Sequence, residues 1–87
     1  MPIFKEELTE EQKTQRQISA MGDSLNLINE LITKGQHTQE VHDTIDRNYR
    51  HLELMLGKDN IKKSGSDLKA FEDAVTASKT FIAVPIT

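Results

Sequence analysis

His37, Glu40, His42 and Asp46 are the side chains whose types and spacing come closest to a chemical site. His42 and Asp46 stand four residues apart, which on a helix puts them on one face within reach of a single ion. His37 falls in an expected turn, with nothing local to bring it to the other two. Two ligands at helical spacing arise readily by chance. The expectation is therefore a solvated helix start with no metal site.

Other chemistries find less support. Ser19, Ser24, Ser64, Ser66 and Ser78 have no adjacent histidine and acid in a nucleophilic arrangement. A small helical domain also has little room for a pocket of about 300 Å³ or more. Lys63-Ser64-Gly65-Ser66 lacks the upstream glycine of a phosphate-binding loop. Neither an enzyme nor a cofactor is expected. Arg47, Arg50 and His51 make one basic patch, and Lys58, Lys62 and Lys63 a second. Asp43, Asp46, Glu53 and Asp59 interrupt them, and Tyr49 is the single aromatic nearby for base stacking. With a net charge of −3, the chain lacks the basic footprint of a nucleic-acid binder, and no nucleic-acid partner is expected.

The elements that would position these groups are helical. Eighty-seven residues make one domain, which buries only about 60–65% of its unfolded surface and gains from partners. No cysteine is present, so disulfides and thiolate metal sites are excluded. No apolar run approaches the roughly 18 residues that cross a bilayer, and MPIFKEEL has neither a basic leader nor a long apolar region. These features predict a cytoplasmic protein without a membrane partner.

The pattern centres on residues 41–56, where Val41, Ile45, Asn48, Leu52 and Met55 form one continuous stripe at helical spacing, widened by Tyr49 and Leu56. Asn48 in that stripe is expected to fix register. Upstream, Thr9-Glu10-Glu11-Gln12 matches a capping box, and Gly35 suits a left-handed helix end. A first helix over about 9–34 follows. Its stripe of Ile18, Met21, Leu25, Ile28 and Ile32, broadened by Leu27 and Leu31, starts late. EEQKTQRQ before it is polar all round, so those turns are expected to fray or to need a partner. Gly22 within the helix suggests close packing or a slight bend.

Thr38 is the expected cap of the second helix, over about 38–56, and Gly57 its end. KDNIKKSGS reads as a connection with one helical turn near residues 60–63, and Ile61 as a lid on one end of the core. Ser66 is the expected cap of the third helix, over about 66–81, on which Leu68, Phe71, Val75 and Ser78 repeat the stepping. Ala70, Ala74 and Ala77 would allow close approach. Pro85 forbids further helix, giving an extended tail over 82–87. The fold class is all-α: a small antiparallel three-helix bundle, 9–81, with a long first helix and extended arms at 1–8 and 82–87.

The arms are the more informative features. Ile3, Phe4 and Leu8 at one end, and Phe81, Ile82, Val84 and Ile86 at the other, are apolar. Such groups either cap their own core or mark contact surfaces. The expectation is partner binding, with FIAVPIT adding as a strand to a neighbour's sheet edge. Function then follows as a non-enzymatic structural or adaptor subunit of a larger protein assembly, with itself or a scaffold as partner and an oligomer plausible. Accessory proteins of virus particles, including those of tailed-phage heads and tails, share this architectural plan, which would place the chain in a virion. The alternative is a small regulatory protein that modulates a partner enzyme through helix faces bearing Leu27, Leu31 and Leu54.

Overall fold

The computed structural model describes residues 9–86, so the 1–8 arm and its Ile3, Phe4 and Leu8 lie outside the described part. The order is α1 (Glu10–Lys34), α2 (Gln39–Leu56), α3 (Asp59–Lys62) and α4 (Lys69–Ile82). No strand occurs among the described residues. α1, α2 and α4 pack on one another as a bundle, and α3 joins α1 and α2.

Each helix begins and ends for local reasons. Thr9 caps α1: its hydroxyl accepts from the Gln12 N–H at 3.1 Å, and the Gln12 side chain accepts from the Thr9 N–H at 2.9 Å. Two first-turn donors that the helix cannot satisfy internally are thereby met. Gly35 stops α1 at φ 69°, and its N–H donates to the Leu31 carbonyl. That left-handed conformation carries a steric cost in any residue with a Cβ. The Thr38 hydroxyl accepts from the Val41 N–H at 3.1 Å and starts α2. Gly57 ends α2 at φ −80°, in right-handed geometry, with its N–H on Leu54 and Met55.

The third long helix begins later than its sequence suggests. Ser66 does not cap it. Its N–H donates instead to Ser64 Oγ at 3.2 Å, while Asp67 Oδ1 accepts from the Lys69 N–H at 3.0 Å. The carboxylate two residues upstream competes successfully for the first helical N–H, so α4 opens at Lys69 rather than 66. It runs through Ile82, one residue into the expected tail, and 83–86 continue without helix.

Met21, Ile28, Leu52 and Ile61 are fully buried, Phe71, Ala74 and Val75 are buried beside them, and Ile45 is fully buried nearer the start of α2. Full burial of an aliphatic or methionine side chain stabilises by roughly 1.5–3 kcal/mol each. Ile18, Leu25, Ile32, Tyr49, Met55, Leu56 and Leu68 pack around them. Ala74 is buried as expected of a close approach, whereas Ala70 and Ala77 face solvent. A Cβ built on Gly22 meets no atom within 4 Å, so close packing does not explain that glycine. Asn48 fixes no register across helices: its Nδ2 donates to the Thr44 carbonyl of its own helix at 2.7 Å.

The first turns of α1 find support within the chain. At 1.5 Å per residue α1 is about 38 Å long, against about 27 Å for α2 and about 21 Å for α4. α3 fills the space beside the overhang. Thr14 is buried there, and Asn60 Nδ2 donates to Thr14 Oγ1 at 2.9 Å and to Gln17 Oε1 at 2.7 Å. Polar residues thus pack on polar residues, which a search for apolar stripes does not register.

Candidate functional site

The end of the bundle where α1 turns into α2 gathers three rings. His37 sits in the link between the helices and His42 in the first turns of α2, while Phe81 belongs to the last turn of α4. His37 Nδ1 and His42 Nε2 are 2.9 Å apart. Phe81 stacks on His37 with centroids 4.2 Å apart and meets His42 edge-on at 5.6 Å. His42 is buried at 8% exposure. A half-buried Phe81 is therefore engaged by its own chain, as offset aromatic pairs are.

Beyond Phe81 the apolar residues turn outward by degrees. Ile82 is half-buried, while Val84 and Ile86 are 43% and 46% exposed. Pro85 between them has no N–H to donate, so this segment can offer a neighbouring strand only part of a ladder. On the helix faces Leu54 is 65% exposed and Leu27 36%, whereas Leu31 is half-buried.

The acidic side of α2 forms a different surface. Gln39, Glu40, Asp43, Asp46 and Arg47 line an open groove of about 610 Å³, and a second of about 310 Å³ lies between the start of α1 and α3. Concavities of the size that sequence length argued against are thus present. The larger is lined by one helix alone and has no opposing wall to enclose a substrate. His37 and His42 meet, but Glu40 lies exposed in the groove. Among the described residues no three His, Cys, Asp or Glu side chains are grouped to hold a metal ion.

The basic patches are partly neutralised. Arg50 Nε bonds Asp46 at 3.0–3.1 Å, which raises the guanidinium above its ordinary pKa through the hydrogen bond first and the charge second. Lys79 on α4 reaches Glu53 on α2 at 2.9 Å and is raised by the same two causes. His51 Nδ1 lies 3.0 Å from the hydroxyl of buried Ser24 on α1. Lys63 shares the smaller groove with Glu10 and Glu11.

Among the described residues no helix is long and apolar enough to cross a membrane. Comparison with known protein families, characterised proteins and solved structures finds no significant match to this chain.

Two relationships escaped sequence reasoning: the meeting of His37 and His42 with Phe81, and the bridge from Asn60 to α1. Both join residues far apart in the chain. The first had a partial signal in the histidine spacing, and the second had none.

Proposed function

We propose that the chain is a non-enzymatic structural or adaptor subunit of a larger protein assembly, of the kind that accessory components of virus particles represent. The observation that carries this reading is the apolar segment after α4, where Val84 and Ile86 stand nearly half exposed on a stretch without helix. In this reading α1, α2 and α4 form a rigid spacer, and Ile82, Val84 and Ile86 make the contact, with Phe81 anchoring their base. Ile3, Phe4 and Leu8 would serve the same role at the other end. Capture of the tagged full chain from its own cells tests this. Many copies of the chain or of one scaffold in the captured material are expected, and loss of that material on Val84→Asp with Ile86→Asp. Capture unchanged by the double substitution would overturn the assignment of the contact.

A second reading rests on Leu54, which at 65% exposure is the most open large apolar residue described. Leu54 on α2 and Leu27 on α1 suit helix faces that dock into a groove on a partner enzyme. One target at fixed stoichiometry, lost on Leu54→Asp and retained in the tail variant, would favour this regulator.

A further inference from the structure

The contact between His37 Nδ1 and His42 Nε2 at 2.9 Å joins two ring nitrogens, and that chemistry is selective. A hydrogen bond between imidazoles needs one N–H and one lone pair. Two neutral rings supply both, and so does a pair carrying one extra proton. Two imidazolium rings have only donors. The bond is then impossible, and two positive charges repel at contact distance.

We propose that His37, His42 and Phe81 form a proton-operated latch. At neutral pH the His37–His42 bond ties the α1–α2 link to the first turns of α2, and Phe81 in the last turn of α4 stacks on the His37 ring so held. Protonation of both rings breaks that bond and displaces His37, the ring on which Phe81 stacks. The latch does not depend on the assembly reading.

The charged groups on the elements meeting here are engaged elsewhere or lie in solvent. On α2, Asp46 takes Arg50 at 3.0 Å, Asp43 accepts from Gln39 at 2.8 Å, and Glu40 is exposed. α1 ends on Lys34, paired with Glu30 at 3.3 Å. α4 carries Lys79, paired with Glu53 at 2.9 Å. No buried carboxylate among the described residues stands ready to balance a second positive ring.

His51, the third histidine, supplies an internal control. Its partner is the Ser24 hydroxyl at 3.0 Å. A hydroxyl donates to a neutral ring nitrogen and accepts from a protonated one by rotating. That contact survives in either state.

The sign follows from proton counts. Below the ordinary imidazole range, near about pH 6.5, both rings of the unfolded chain are protonated. The latched form cannot hold both protons. The folded chain then binds fewer protons than the unfolded one, and stability falls as pH falls. For one proton the limit is about a tenfold loss in the folding constant per pH unit.

The test is urea unfolding of the full chain from pH 7.5 to 5, as wild type, His37→Gln and His51→Gln. Wild type and His51→Gln should lose stability alike, with a slope approaching that limit, and His37→Gln should be distinctly flatter. Carboxylate titration contributes equally to all three and drops out of the comparison. His37 is half-buried, so its replacement should fold. If it does not, the wild-type ring signals of His37, His42 and Phe81 followed by NMR over the same range serve instead. Phe81 signals moving with the histidine titration are expected. A wild-type slope retained in His37→Gln, or Phe81 signals fixed while both rings titrate, would overturn the latch.

Discussion

Asn60 Nδ2 bridges Thr14 Oγ1 at 2.9 Å and Gln17 Oε1 at 2.7 Å, across 46 and 43 residues of sequence. One amide group uses both of its hydrogens to hold a one-turn helix against the start of a 25-residue one. Replacing Asn60 by alanine removes both donors and leaves Thr14, which is 7% exposed, with a poorly solvated acceptor. The expected loss is about 1–3 kcal/mol. Hydrogen exchange should quicken over residues 10–17 and change little around Ile28. Unchanged exchange in the first turns would show that the bridge does not hold them.

Gly22 is the opposite case, a position where the sequence is less stable than it could be. It lies inside α1 with nothing within 4 Å of an added Cβ. Gly22→Ala should raise stability by roughly 1 kcal/mol, read as a higher urea midpoint with an unchanged slope. A lower midpoint would mean that the packed helix does not accommodate the added Cβ.

Ile61 is fully buried although it belongs to a helix of four residues. Truncation to alanine should cost about 2–5 kcal/mol, the range for a large aliphatic residue removed from a packed core. Since small domains hold only about 5–15 kcal/mol in all, the variant should unfold well below the wild-type temperature. A shift like that of an exposed-site substitution would mean that α3 is not part of the core.

The Lys79–Glu53 pair joins α4 to α2 at 2.9 Å, with both side chains about half exposed. The folded state raises the Lys79 pKa above its ordinary value of 10.5. Stability from this pair is therefore complete below that value and lost as pH rises through the folded-state value. Its exposure keeps the contribution small and open to screening by salt. Lys79→Met should abolish the alkaline loss at low salt and match wild type at high salt.

Where the chain signals its structure through local chemistry, the sequence is readable. Thr9 with Gln12, Thr38, Gly35 and the stripes through Ile28 and Leu52 each follow from a hydrogen bond or spacing within a few residues. α3 as one turn and Ile61 as a core residue were also legible. The failures share a cause. Polarity in EEQKTQRQ reads as a lack of partners, yet Asn60 matches it with polarity of its own. Ser66 resembles a cap, yet Asp67 lies close enough to take the N–H first. The Phe81 side chain is expected among the contact residues, and its packing against His37 from the α1–α2 link and His42 from α2 is not visible in the sequence. Long-range pairing of polar or mixed groups leaves no period in the sequence.

Association is the central claim, and the mass of the full chain in solution by light scattering tests it most directly. The measurement runs across a dilution series, with helicity followed in parallel, for the wild type and the Val84→Asp, Ile86→Asp variant. The account predicts a multiple of 9.9 kDa for the wild type at high concentration and a folded chain of single mass for the variant. A wild type that stays at single mass and full helicity throughout, indistinguishable from the variant, would contradict self-assembly through the segment after α4.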